Sequence, residues 1–129
     1  MRRVVALAIV FLLWAPLLTG ATNGVAHAEQ SVIVHFDYGS KDWSKFFAFE
    51  SSLGPAITAA GVGEYDGNEL AADGSDGSLY FYGPDADKLF AVVKVQLAAA
   101  PMLKNIRVTL RYGSAGDPRA REVRVKLAS

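Results

Sequence analysis

The chain has 129 residues, no cysteine, and 13 basic residues against 13 acidic ones. This length suits one small domain with one core, and the absence of cysteine excludes disulfide bonds and a cysteine-linked lipid anchor. The balanced charge argues against a general binder of nucleic acid or anionic membranes.

Segment 1–28 has the pattern of a bacterial-type secretory signal peptide. Two arginines precede an apolar run, and the segment ends in Val25–Ala28 with small residues at the positions that signal peptidase requires. The run is shorter than the roughly 20 apolar residues of a membrane-spanning helix, and Pro16 interrupts it. We therefore predict cleavage after Ala28, export to a periplasm or the extracellular space, and no stable membrane insertion of the mature chain.

Residues 29–129, the predicted mature chain and a single predicted domain, divide into halves of opposite charge. Without Arg2 and Arg3, the mature chain keeps 11 basic and 13 acidic residues. The segment 29–87 holds 11 acids and two lysines, whereas the segment 88–129 holds nine basic residues and two acids. The two halves either neutralise each other across one sheet or leave a bipolar surface.

The first predicted elements are a strand and a helix. Ser31–Tyr38 alternates between two sets of side chains, which is typical of a strand with one buried side. Asp42 is a good helix N-cap, and the three- and four-residue spacing of apolar residues over Trp43–Ala60 predicts a helix. Pro55 either kinks this helix or splits it, and Gly61 is suited to end it.

A β-hairpin follows the first helix. Val62–Ala72 predicts its first strand, Asp73–Gly77 its turn, and Leu79–Tyr82 its second strand. Within the first of these strands, Asp66-Gly67 predicts a bulge that turns the neighbouring acids toward solvent.

The second half predicts one helix and two strands. Pro84-Asp85 is suited to begin the helix and Pro101 ends it. Asn105–Tyr112 and Glu122–Leu127 alternate as strands. The order β-α-β-β-α-β-β predicts an α+β fold, a ferredoxin-like split β-α-β sandwich with an extra C-terminal strand and both helices on one face of an antiparallel sheet.

The opposite face of such a sheet is one candidate binding surface. It would carry His35, Asp37, Tyr80, Tyr82, Arg107 and Arg111. Aromatic and arginine side chains on an open sheet suggest stacking of RNA bases, but the strand motif of RNA-binding sheets is missing and the chain is predicted to be exported. Nucleic acid is therefore not a predicted partner. The alternatives are ordinary cross-strand pairs or a face beneath a partner subunit, including a homodimer.

The acidic hairpin around Glu64, Asp66 and Glu69 is the other candidate surface. The spacing in Asp73–Gly77 does not match a calcium-binding loop, and one histidine after processing gives no zinc site, so neither metal nor cofactor is predicted. No serine on a strand–turn–helix elbow accompanies His35, which is predicted to be structural. The sequence therefore predicts no catalytic residue.

Three linked stretches, Gly63–Glu69, Asp73–Gly77 and Leu79–Asp87, resemble the signature of a family of small bacterial proteins with no assigned activity. Leu89-Phe90 continues the likeness, which extends over most of the mature chain. The resemblance implies no catalytic residue, cofactor or ligand.

Together these patterns favour an exported, non-enzymatic binding or interaction module with a protein or a small ligand as its partner. The predicted binding residues are Glu64, Asp66, Glu69, Tyr80, Tyr82, Arg107 and Arg111. The alternative function is a small hydrolase that uses Glu64, Asp66 and His35. That alternative requires the three side chains to converge in one concave pocket.

Overall fold

Five strands form one antiparallel sheet, and two helices pack on one side of it. The computed structural model describes residues 29–128. The strands are β1 (Gln30–Asp37), β2 (Glu64–Leu70), β3 (Asp76–Gly83), β4 (Lys104–Arg111) and β5 (Glu122–Lys126), and the helices are α1 (Ser44–Ala60) and α2 (Ala86–Ala98). The sheet order is β2-β3-β1-β4-β5. The predicted α+β ferredoxin-like sandwich is thus confirmed, with the extra strand β5 beside β4.

The predicted signal peptide, segment 1–28, lies outside the described residues. Within the described range, neither helix is long and apolar enough to cross a bilayer.

Alternation along the strands places one apolar face of the sheet beneath the helices. Val34, Phe81 and Val108, from three different strands, are fully buried in one core, as the strand patterns predict. The helices contribute Phe46, Leu53 and Ile57 from α1, and Leu89, Val93 and Leu97 from α2. Each such side chain stabilises the fold by about 1.5–3 kcal/mol relative to an exposed position, so this core accounts for folding without disulfide bonds.

The first helix is one uninterrupted element that continues through Pro55. Pro55 is exposed, so the Ser51 carbonyl group that loses its amide partner lies on the solvent side of the helix. Of the two alternatives at Pro55, a kink or a split, the split therefore does not occur. Gly61 ends the helix as predicted, with a φ of 68° and a hydrogen bond from its N–H to the Thr58 carbonyl group.

One prediction about α1 is wrong in detail. Trp43, and not Asp42, occupies the N-cap position, and Asp42 lies one residue further out, where its carboxylate accepts a 3.0 Å hydrogen bond from the Ser44 N–H. Phe47 lies off the buried stripe of the helix and is 51% exposed. It follows Phe46 directly, which places it about 100° around the helix from the buried side.

The β2–β3 hairpin is confirmed, although β2 is shorter and β3 longer than predicted. The turn is tied to the end of β1, because the N–H groups of Gly39 and Ser40 both donate to the Gly74 carbonyl group. The predicted bulge is also confirmed, since the β2–β3 register shifts between Tyr65 and Asn68.

Candidate interaction face

The side of the sheet away from the helices carries three rows of side chains, which we call the open face. From β2 to β5, the first row is Glu64, Tyr82, Ser31, Arg111 and Glu122, the second is Tyr80, Ile33, Thr109 and Arg124, and the third is Glu69, Ser78, His35, Arg107 and Lys126. Six of the seven predicted binding residues lie in these rows. The seventh, Asp66, lies exposed in the β2 bulge.

The open face is acidic at one edge and basic at the other. Glu64 and Glu69 project from the edge strand β2, and Arg124 and Lys126 project from the opposite edge strand β5, where the one acid, Glu122, is paired with Arg111 and Arg124. All four side chains are exposed, and the three inner strands keep the two groups apart. The sequence left neutralisation and a bipolar surface as alternatives, and the sheet order favours the bipolar one.

The tyrosines form the uncharged middle of this surface together with Ile33. Tyr80 is half-buried, and its hydroxyl donates a hydrogen bond to the Glu69 carboxylate. This bond, with burial as a second cause, raises the pKa of Tyr80 above its ordinary value. Tyr80 therefore presents a neutral ring whose orientation is fixed from the acidic edge.

The imidazole of His35 makes polar contacts with two side chains of β3. Its Nδ1 lies 2.7 Å from Ser78 Oγ, and its Nε2 lies 3.3 Å from Asp76 Oδ2. His35 and Asp37 lie two residues apart on the same face of β1, as the sequence predicts, but each side chain bonds to a different neighbouring strand. The register therefore provides other partners for both side chains.

Asp37 contacts β4 instead. It accepts hydrogen bonds from Asn105 Nδ2 at 2.9 Å and from Arg107 Nη2 at 3.1 Å. The bond from Asn105, assisted by Arg107, lowers the pKa of Asp37 below its ordinary value. This cluster joins the middle of the sheet to its basic side.

Ser78, His35 and Asp76 are the residue types of a serine hydrolase, yet their surroundings do not match one. Ser78 lies inside β3, between β1 and β2, in a continuous strand ladder. Backbone N–H groups in a ladder are already paired, so no preorganised pair of donors is available beside Ser78 Oγ for an oxyanion. His35 and Asp76 are each 43% exposed. These contacts fit the predicted structural role of His35.

The three residues of the hydrolase alternative do not converge. Glu64 lies opposite Tyr82, whereas His35 lies opposite Ser78, four residues further along β3. The Cα atoms of Glu64 and His35 are roughly 16 Å apart, because the two residues are two strands apart across the sheet and four residues apart along it. Asp66 lies in the exposed bulge. Among the described residues, no group of three or more histidine, aspartate and glutamate side chains is placed to hold a metal ion.

Sequence reasoning missed a polar cluster on the helix side of β2. Tyr65 Oη donates a 2.6 Å hydrogen bond to Glu50 Oε2, and Asn68 Nδ2 donates to the same oxygen. Burial and the bond to Glu50 raise the pKa of Tyr65 far above its ordinary value. The predicted bulge was the available signal, because an extra residue at Gly67 puts Tyr65 and Asn68 on the same side of the strand.

Comparison with known proteins gives a likeness of fold and no family. No family model matches the sequence, and no curated protein is similar to it. SnoaB, a cofactor-independent oxygenase from Streptomyces nogalater, has a TM-score of 0.52 at 8% identity over 71% of this chain and 98% of its own.

Two further solved structures are similar at lower scores. Rv0793 from Mycobacterium tuberculosis has a TM-score of 0.45 at 17% identity, over 78% of this chain and 94% of its own. A NIPSNAP-like domain protein from Burkholderia xenovorans has a TM-score of 0.47 at 13% identity, over 75% of this chain and 95% of its own. At 8% identity, the likeness to SnoaB shows a shared fold and nothing about activity.

Proposed function

We propose that the mature chain is an exported, non-enzymatic interaction module whose open face binds a second copy of the same chain. The observation that carries this proposal is the bipolar open face. One edge of an uncovered sheet is acidic, the other is basic, and half-buried tyrosines lie between them.

The size of the open face is compatible with a dimer. Five strands about 4.8 Å apart and up to eight residues long give a face of roughly 600 Å². Two such faces would bury about 1,200 Å² in total, which is the lower limit for specific, stable interfaces. Tyr80 and Tyr82, on β3 beside the central strand β1, supply aromatic area of the kind that is enriched among residues with large interface energies.

The charge pattern selects one orientation of the two copies. A two-fold axis parallel to the strands, between two facing sheets, brings the β2 edge of one copy opposite the β5 edge of its partner. At both ends of the interface Glu69 then faces Lys126 and the acidic β2 bulge faces Arg124, whereas Glu64 faces Glu122, which is already paired with Arg111 and Arg124. An axis perpendicular to the strands would instead place acid against acid.

Sedimentation velocity on the chain from Glu29 onward tests the proposal. We expect a concentration-dependent dimer that the double variant Tyr80→Ala/Tyr82→Ala weakens by at least about tenfold. The matched control is Phe47→Ala, which removes an exposed aromatic ring from the helix side and leaves the dimer unchanged. A wild-type chain that stays monomeric at all concentrations would overturn the proposal.

Charge-swapped variants test the orientation. Glu64→Lys/Glu69→Lys makes both edges basic, and Arg124→Glu/Lys126→Glu makes both edges acidic. Each variant should fail to self-associate, and a mixture of the two should form a heterodimer. Self-association of either variant at the wild-type level contradicts the orientation.

A further inference from the structure

An apolar groove lies on the helix side of the sheet, between the C-terminal half of α2 and the end of β5. It is lined by Leu97 and Ala98 of α2, Ile106 of β4 and Leu127 after β5, and its larger part has a volume of about 260 Å³. This volume is near the lower end of small-molecule sites, which are roughly 300–1,000 Å³.

The groove exists because the sheet is wider than its helical cover. α2 packs on β1, β3 and β4, and neither helix packs on β5. The extra C-terminal strand therefore extends the apolar side of the sheet past the helices, and Val125 and Leu127 stay only partly buried. A ferredoxin-like domain without this fifth strand would have no such groove.

Two lysines, Lys104 and Lys94, are among the residues that line the groove, and no acidic residue of the described range lines it. Neither lysine forms an ion pair within the described residues. Lys94 Nζ lies over the Phe90 ring, 5.8 Å from its centroid. Asp37, the register partner of Lys104, instead binds side chains of Asn105 and Arg107. Lys104 is therefore the lysine of the groove lining that makes neither an ion pair nor a contact with an aromatic ring within the described residues.

We propose that the groove binds a medium-chain carboxylate. The alkyl chain lies along Leu97, Ile106 and Leu127, and the carboxylate meets Lys104. An apolar groove whose lining includes a lysine without an ion pair matches a ligand with one anionic head and an unbranched tail, because the tail contacts apolar side chains and the head contacts a cation. The small volume favours a tail of medium length over a long one. This site is independent of the open face, which lies on the other side of the sheet.

Titrations of the ¹⁵N-labelled chain from Glu29 onward with decanoate and octanoate, below their micelle concentrations, test the proposal by NMR. The amide shifts should map to Leu97, Ile106 and Leu127, and decanoate should bind about 15-fold more tightly because it buries two more methylene groups. Equal affinities, or shifts that map to the open face, would overturn the proposal. Decyltrimethylammonium should bind at least about tenfold more weakly than decanoate, and equal binding would show a nonspecific apolar surface.

Two pairs of variants locate the ligand. Ala98→Trp fills the groove without removing a core side chain and should abolish decanoate binding, whereas Ala91→Trp, on an exposed position of α2 outside the groove, should retain it. Lys104→Glu should weaken decanoate binding at least about tenfold, and Lys88→Glu should leave it unchanged. Undiminished binding to either Ala98→Trp or Lys104→Glu contradicts the site.

Discussion

The Tyr65 hydroxyl donates a hydrogen bond to the Glu50 carboxylate over 2.6 Å, and this bond joins the edge strand β2 to α1. β2 has a neighbouring strand on one side only, namely β3. Edge strands are less constrained than inner strands because half of their backbone groups have no ladder partner. The acidic edge of the open face is therefore held in place by a side-chain contact on its opposite side.

Replacing Tyr65 by phenylalanine should lower the free energy of unfolding by about 1–2 kcal/mol, because a half-buried carboxylate loses a charge-assisted hydrogen bond. Urea denaturation followed by circular dichroism measures this change. Tyr112→Phe is the matched control, since its hydroxyl bonds to Asp87 at an exposed position. We expect a change within about 0.5 kcal/mol for that variant. Equal losses in the two variants would contradict the constraint on β2.

The same bond predicts a loss of stability at alkaline pH. The pKa of Tyr65 is raised in the folded state by burial and by Glu50, so the folded state favours the neutral phenol. The resulting stabilisation is complete below the unfolded pKa of about 10 and is lost as the pH rises above it. The unfolding free energy of the wild-type chain should thus fall above about pH 10, and less steeply in Tyr65→Phe.

That variant should retain part of the alkaline slope, because the pKa values of Tyr80 and Tyr112 are also raised by their carboxylate partners. Urea midpoints collected at several pH values between about 9 and 11 would show the difference. Identical slopes for the two proteins would mean that Tyr65 ionises as it does in the unfolded chain.

At acidic pH, the contribution of Asp37 to stability depends on its hydrogen bond from Asn105. The folded-state pKa of Asp37 is lowered, mainly by the hydrogen bond from Asn105, so its contribution to stability is present above the unfolded pKa of about 3.9 and is lost as the pH falls. Asn105→Gly removes the amide but suits the backbone there, which has a φ of 49°. The pKa of Asp37 should rise toward its ordinary value in this variant.

Carboxyl ¹³C chemical shifts followed through an acid titration measure that pKa directly. Asp73 is an internal control, because its pKa is lowered by Ser75 and not by Asn105. Its titration should be the same in the wild-type chain and in Asn105→Gly. An unchanged Asp37 titration would show that Arg107 alone supplies the effect.

The sequence predicted the order of the elements and the two sides of the sheet, because these depend on local periodicity. Val32, Val34 and Phe36 alternate with partly exposed residues in β1 as the pattern required. The same alternation placed Tyr80 and Tyr82 on the side away from the helices. Both conclusions need only a correct strand assignment, not a correct alignment of one strand with another.

The contacts of His35 could not be predicted in this way. Its partners, Ser78 and Asp76, are fixed by the β1–β3 register, which places residue 35 opposite residue 78. Register between strands distant in sequence follows from the packing of the whole domain, and the same is true of the β1–β4 contacts that give Asp37 its partners Asn105 and Arg107. The apolar groove was missed for a related reason, since it depends on how far the helices extend over β5.

Three glycines, in the β2–β3 turn, the β2 bulge and the β4–β5 loop, give a graded test of backbone strain. Gly74 has a φ of 76°, and a Cβ atom there would lie 2.1 Å from the Ser40 carbonyl oxygen. Gly67 has a φ of 101° but nothing within 4 Å of such an atom. Alanine at this position would therefore be destabilised by the unfavourable φ and not by a collision. Gly116 has neither restriction. Alanine at the three positions therefore separates collision with the backbone from an unfavourable φ.

We expect Gly74→Ala to lower the free energy of unfolding by about 3 kcal/mol or more, because the turn must move away from the end of β1. Gly67→Ala should cost about 1–2 kcal/mol, since alanine in the left-handed region is strained even in open space. Gly116→Ala should fall within about 0.5 kcal/mol of the wild-type chain. Urea denaturation of the three variants gives the order directly. Equal losses of unfolding free energy in Gly74→Ala and Gly67→Ala would mean that the turn can shift freely. The contact between the hairpin and β1 would then contribute little to the position of the acidic edge.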